Sequence, residues 1–277
     1  MYLFPFKEGS MGQLDGKVAV VIGAAGEGNM GQAIARRFRK EGADVVVTSR
    51  RGAELEAFAR EIGGVSTVCD LTRKDDVFAL ADFTRKTFGK VDIAINSTGI
   101  AVGGPFEQFS EEDLDKLIAL QFKGSFFFLQ AMVGAMDKGG SIIQISSATA
   151  QRTGTVQGYE AYVGTKAGID HVVRAVANFY GRKGIRVNTI SAGHTDTPMQ
   201  KVPLQDWRKA AYADATPMGR YGTCEDVAAA CVWLASDECF MTGEALQVNG
   251  GLTLRRNPLP EDIARYEREW GKSIPVR

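Results

Sequence analysis

Residues 17–38 read KVAVVIGAAGEGNMGQAIARRF, and the order of their parts settles the fold. KVAVVIG is a β-branched run of strand length. The segment from Met30 onward has helical period, and between the two lie Gly26, Gly28 and Gly31, spaced as Gly-x-Gly-x-x-Gly. Glycines at that spacing let a backbone approach a pyrophosphate at a helix N-terminus, where unpaired N–H groups and the helix dipole favour an anion. A tight strand-to-helix turn with no ligand would show the same letters. The strand before and the helix after give the pattern its force.

Outward from this stretch the same rhythm repeats. ADVVVTS, VSTVCD, VDIAINSTG, SIIQISS, IRVNTIS and EALQVNG are further strand candidates, most of them separated by apolar segments of helix length. Such alternation predicts an α/β fold, a Rossmann-type doubly wound parallel sheet covered on both faces. Ser110-Glu111-Glu112-Asp113 resembles a capping box, with Asp at the last position, and opens the helical run DLDKLIAL. No internal repeat or low-complexity linker divides the chain. A single domain over residues 15–253 is expected, with an N-terminal extension at 1–14 and a C-terminal one at 254–277. The latter carries a short helix after Pro260, and both extensions read as appendages suited to packing on a neighbouring subunit.

The 277 residues are 44% hydrophobic, enough for one large core, and Lys plus Arg equals Asp plus Glu at 33 each. With no block of one sign, neither nucleic acid nor a membrane is an expected partner, and a small molecule is. Cys69, Cys224, Cys231 and Cys239 form no CxxC pair and the chain has two histidines, so no metal site is expected. The apolar MYLFPF is too short for a signal core or a membrane span. A cytoplasmic chain with reduced thiols is the expectation.

Further motifs follow in order: CDLT with Asp70, NSTG at 96–99, ISS at 145–147, YVGTK at 162–166, RVNTISAGHTDTP, and MTGEALQVNGG. Together with the glycine turn they resemble the short-chain dehydrogenase/reductase family, from about Leu14 to Thr253. That family writes its turn Gly-x-x-x-Gly-x-Gly; Gly23 and Gly31 match the outer pair, with two extra residues between them. The resemblance implies a nicotinamide dinucleotide held by Gly23, Gly28, Met30 and Gly31 at the turn. Asp70 would meet the adenine beside Leu71, and Asn96, Gly99, Gly193, Thr195 and Thr197 would complete the binding positions.

YEAYVGTK, residues 159–166, offers two tyrosines to one lysine. Four helical residues turn 400°, which puts Tyr162 and Lys166 on one face about 6 Å apart along the axis; Tyr159 at seven residues lies about 10 Å away. An ammonium near a phenol favours the phenolate, so Lys166 is expected to lower the Tyr162 pKa. An exposed helical pair is the bland alternative. By resemblance, Ser147 polarises a substrate oxygen, Tyr162 is the general acid/base, and Lys166 also grips the nicotinamide ribose.

Two departures qualify this. The family's helix asparagine, which supports a water in the proton relay, is Gln121 here, so Gln121 is expected either to rebuild the relay or to leave it to bulk water. The Tyr159 to Lys166 spacing, the stretched glycine turn and Ala192 in ISAG resemble the enoyl-acyl-carrier-protein reductase branch, in which a Tyr-x6-Lys pair assists reduction of a C=C bond. That reading leaves Ser147 and the Tyr162 spacing as coincidences. The carbonyl reading leaves only Tyr159, which would then line the substrate pocket. A dinucleotide-binding regulator without catalysis is the third alternative, and the intact Ser147, Tyr162 and Lys166 speak against it.

Residues 194–216 are expected to form the substrate lid. His194 either lines the site or is a backbone-bonded loop residue, and Met199, Trp207 and Tyr212 hint at an apolar or aromatic ligand. At the end of the second strand VVVTSRRG puts Ser49 where NAD enzymes carry an acid, followed by Arg50 and Arg51. NADP(H) is therefore the preferred cofactor, with NAD(H) possible and Arg50 the main contact. A homotetramer or homodimer is expected, with FFFLQAM at 126–132 suited to an interface helix or to the core.

Overall fold

The computed structural model describes residues 12–152, 158–197 and 205–270. Met199 with the rest of 198–204, residues 1–11 and residues 271–277 lie outside this range. Strands β1 (Val18–Ile22), β2 (Asp44–Ser49), β3 (Val65–Val68), β4 (Ile93–Asn96), β5 (Gly140–Ile145), β6 (Ile185–Ala192) and β7 (Ala245–Val248) form one seven-stranded sheet. Its order is β3-β2-β1-β4-β5-β6-β7, and every pairing is parallel. All of the strand candidates are present. The helices are α1 (Met30–Lys40), α2 (Gly52–Ile62), α3 (Lys74–Phe88), α4 (Glu111–Leu117), α5 (Ser125–Ala135), α6 (Glu160–Tyr180), α7 (Asp206–Ala215), α8 (Cys224–Ala235) and α9 (Pro260–Glu269).

Alternation along each strand feeds two cores. Ala19 and Val21 join Ile34, Phe38, Leu55, Val227 and Leu234 under α1, α2 and α8. Val20 and Ile22 join Val77, Leu80, Phe128, Met132 and Val173 under α3, α5 and α6. Because both faces are covered, the strands read as continuous apolar runs. β1 pairs with β2 on one side and with β4 on the other, so the chain's crossovers leave in opposite directions there and a crevice opens at the strands' carboxyl ends.

Between α4 and α5 the helix widens into a π-helical stretch, Ile118–Gly124, with buried Gln121 inside it. The continuous run Glu111–Ala135 has the length and mean hydropathy (1.3) of a membrane span. Here it is packed, with Phe128, Leu129 and Met132 of α5 in the sheet's core. Ser110 caps α4 by accepting the Asp113 N–H, but the Asp113 carboxylate takes the Ser110 hydroxyl instead of a backbone N–H. Only half of the expected capping box forms; Thr223 and Asp226 make a full one at α8.

The C-terminal extension is not a free appendage among the described residues. Its helix α9 packs on α7 of the same chain, with Tyr266 buried. The four cysteines are free and buried.

Candidate active site

The cleft at the strand ends encloses about 1410 Å³. At one end lie Gly23, Gly26, Met30 and Gly31. Asn29 caps α1 with its Oδ1 on the Gln32 N–H at 2.8 Å and ties the turn together with its Nδ2 on the Ala25 and Gly23 carbonyls. No acid stands in the helix's first turn, so its dipole faces the cleft unopposed. A Cβ on Gly31 would lie 2.6 Å from Ser97 Oγ and 2.7 Å from the Gly23 carbonyl oxygen, so only glycine lets α1 close on β1. Gly28 departs from expectation. It does not line the cleft, because the longer turn directs its carbonyl toward the Cys224 thiol at the start of α8, 3.7 Å away. Gly26, with φ of 104°, takes the cleft position.

Beside the turn, Ser49, Arg50, Arg51, Asp70, Leu71 and Gly99 line the wall. Arg51 folds onto the turn, donating to the Ala25 carbonyl at 2.7 Å and pairing with Glu54 at 3.2 Å. Burial pushes the Asp70 carboxyl up, but two hydrogen bonds from Thr72 and the charges of Arg50 and Arg73 leave it below its ordinary pKa. Asn96 also departs from expectation, being only 2% exposed and outside the lining. Its Oδ1 accepts from the Thr98 N–H and hydroxyl and its Nδ2 donates to Ser125, so it shapes the turn from behind while Ser97, Thr98 and Gly99 face the cleft.

Ser147, Tyr162 and Lys166 meet in the middle of the cleft. Tyr162 and Lys166 share a face of α6, and the ammonium stands 5.9 Å from the tyrosine ring centre. The expected electrostatic balance is reversed, however. Burial raises the Tyr162 pKa above its ordinary value; the hydrogen bond with Ser147 opposes the rise and the Asp170 charge adds to it. Lys166 is itself pushed down to about 8 by burial, against the pull of Asp170. Its ammonium donates to the Ile145 carbonyl at 2.8 Å. Both groups are buried, and burial is the largest influence on each.

Tyr159 lines the cleft but precedes the first residue of α6 and is 45% exposed. Its ring lies against Gly103, where a Cβ would come within 3.2 Å of it. Helical spacing therefore does not carry it to the face of Lys166.

Gln121 is not at the cleft surface, contrary to the relay expectation. Its Oε1 accepts the Ile100 N–H at 3.2 Å and its Nε2 donates to Thr165 Oγ1 at 2.8 Å, which uses the extra methylene to tie the π-helical stretch to α6. Gln121→Asn is expected to cost about 1–3 kcal/mol of stability by stranding one buried partner, while kcat changes by less than roughly threefold. Urea unfolding beside steady-state kinetics checks this.

At the far end Gly193, His194, Thr195 and Thr197 line the cleft with Arg208, Tyr212 and Tyr221. His194 is a lining residue, packed 4.5 Å from the Tyr212 ring centre and 5.8 Å from that of Tyr221. Burial lowers its pKa, opposed by Asn257, so the imidazole is neutral at pH 7. Trp207 lies outside the lining. Three residues were not foreseen. Asn257, from the C-terminal extension, reaches His194 Nε2 with its Oδ1 at 3.4 Å. The Tyr221 hydroxyl is buried with no hydrogen-bond partner among the described residues. Asp170 sits below Lys166 and accepts from Ser146 at 2.9 Å.

Comparison with known proteins identifies the family. A family model described as "Enoyl-(Acyl carrier protein) reductase" matches residues 23–253. D-threitol dehydrogenase of Mycolicibacterium smegmatis is 34% identical over 251 residues, covering 88% of this chain and 95% of that protein. The 3beta-hydroxysteroid dehydrogenase 1 of Eggerthella lenta is 36% identical over 252 residues, covering 87% and 95%. Among solved structures, a short-chain dehydrogenase/reductase from Serratia marcescens superposes with a TM-score of 0.80 at 28% identity, covering 87% of this chain and 99% of its own. The chain belongs to the short-chain dehydrogenase/reductase family of oxidoreductases.

Proposed function

We propose that the protein interconverts a ketone or aldehyde and the corresponding alcohol, with NADP(H) as cofactor. The observation that carries this reading is that Ser147, Tyr162 and the buried Lys166 line one cleft, with Ser147 hydrogen-bonded to the Tyr162 phenol, while Tyr159 stands before the first residue of the helix. When bound, the nicotinamide supplies hydride for reduction or takes it for oxidation. In the reducing direction Ser147 donates a hydrogen bond to the substrate oxygen, and Tyr162, a neutral phenol at pH 7, gives that oxygen its proton. The Lys166 ammonium stabilises the phenolate left behind. Turnover of a carbonyl and alcohol panel with NADPH and with NADH tests this; no turnover of any member would leave the regulator reading.

The cleft fits a dinucleotide. Gly23 and Gly31 sit where a Cβ would collide with Ser97, and the acid-free first turn of α1 opens beside Arg50 and Asp70. These residues would hold the pyrophosphate, the 2′-phosphate and the adenine, with Lys166 on the nicotinamide ribose. Tyr212, Tyr221 and His194 give the substrate end aromatic walls suited to an apolar or ring-bearing compound. Both dehydrogenase relatives support alcohol chemistry. C=C reduction through Tyr159 is the second reading, favoured by the family model's description and by Tyr159 lining the cleft.

Assembly as a homotetramer or homodimer is part of the proposal. Leu114, Ile118, Phe122 and Phe126, four residues apart along α4 to α5, are each between 36% and 44% exposed and form one apolar stripe. Light scattering is expected to give a multiple of the chain mass, and Ile118→Glu with Phe126→Glu to reduce it. A monomeric wild type would contradict this. Four buried free thiols suit a reducing compartment such as the cytoplasm.

A further inference from the structure

Three side chains at four-residue steps on α6 hold three consecutive residues where β5 ends. Tyr162 meets the Ser147 hydroxyl, Lys166 donates to the Ile145 carbonyl at 2.8 Å, and Asp170 Oδ2 accepts the Ser146 hydroxyl at 2.9 Å. The first two belong to the proton-transfer machinery proposed above; the third has no role in it. Yet Asp170 Oδ1 is buried with no hydrogen-bond partner among the described residues. A carboxylate oxygen in that position is costly unless a nearby charge compensates.

Lys166, one helical turn before Asp170 and bonded to the Ile145 carbonyl next to Ser146, is placed to supply that charge without a direct ion pair. Among the described residues, Asp170 is the one charged group that acts on Lys166, and Lys166 the one that acts on Asp170. Tyr162 is the other titratable group Asp170 influences. From β6, α5, the π-helical stretch, the turns at 148–150 and 181–183 and α4, which also pack on α6, no charged side chain among the described residues acts on the pair, the acids and Lys116 of α4 and Arg182 and Lys183 included.

We infer that Asp170 is a positioning residue for proton transfer: its carboxylate keeps the buried Lys166 ammonium charged, and its bond to Ser146 fixes the strand end that carries Ser147. This rests on the carbonyl reading for its catalytic consequence, though not for the pairing itself. Burial puts Lys166 at about 8 and Asp170 at about 6, so both are charged between those values. Above that window the pair depends on the lysine holding its proton, and removing the Asp170 charge makes it lose that proton at lower pH. Below it Asp170 is neutral and Lys166 is charged with or without it, so the two proteins converge.

Asp170→Asn keeps the shape and an acceptor for Ser146 while deleting the charge. Its kcat–pH profile is expected to lose the alkaline limb about one pH unit earlier, giving roughly tenfold lower kcat near about pH 9 and less than about twofold near about pH 6. Ser146→Ala, which keeps the charge, is expected to leave the limb in place. An unmoved limb in Asp170→Asn, or an equal loss at every pH with a lowered Tm, would overturn the inference. If that variant does not fold, the ¹³Cε signal of Lys166 in the wild-type protein decides: a small step with a midpoint near 6, from Asp170, is expected before the main titration, and a single step would overturn the pairing. Survival of turnover in Tyr162→Phe would sink the carbonyl reading while leaving this NMR result to stand or fall on its own.

Discussion

Tyr162→Phe is expected to lower kcat by about 10²- to 10⁴-fold, the usual worth of a positioned general acid, with the fold intact. The phenol is hydrogen-bonded to Ser147 and its ring centre lies 5.9 Å from the Lys166 ammonium, so losing the hydroxyl would remove the proposed proton donor while keeping the ring in place. Tyr159→Phe deletes a hydroxyl on a ring that is 45% exposed at the cleft wall, and it is expected to change KM by less than roughly tenfold with kcat nearly unaltered. Steady-state kinetics on both variants with one ketone checks this. The reverse pattern, a dead Tyr159→Phe and an active Tyr162→Phe, would transfer the chemistry to C=C reduction.

The second large effect concerns the cofactor. Arg51 is already engaged, bonded to the Ala25 carbonyl and paired with Glu54, whereas Arg50 lines the cleft and makes no ion pair among the described residues. Ser49 supplies no carboxylate to repel a 2′-phosphate. A guanidinium–phosphate contact contributes roughly 1.5–3 kcal/mol, so kcat/KM is expected to favour NADPH over NADH by about ten- to a hundredfold. Arg50→Ala is expected to bring the two cofactors close to parity. A wild type that prefers NADH would contradict the cofactor assignment, and an unchanged preference in Arg50→Ala would contradict the residue.

The sheet was legible because a parallel strand buried on both faces must be apolar throughout, and each such run stands out between helical segments. That Ser147, Tyr162 and Lys166 share one cleft was legible because α6 and the end of β5 bring two short motifs together. What was hidden depends on tertiary burial. A carboxylate four residues after a lysine reads as a solvated helical pair, so nothing in KAGID marks Asp170 as lying under the strand end. Burial also raises the Tyr162 pKa where the spacing led to an expected lowering, since a spacing argument contains no desolvation. Gln121 reads as a lengthened asparagine until Ile100 and Thr165 are seen to occupy its amide. Asn257 lies beyond the alternating pattern, and only the packing of α9 on α7 shows that the tail returns to the cleft.

The chemistry itself is tested most directly by a substrate that carries both reducible groups. Wild-type protein, NADPH and a panel of α,β-unsaturated ketones are incubated together, and the products are identified by NMR. The allylic alcohol, with its C=C bond intact, is the expected product, because Ser147 and Tyr162 both address an oxygen. The saturated ketone as the main product would contradict the assignment of Tyr162 and place the protein among C=C reductases.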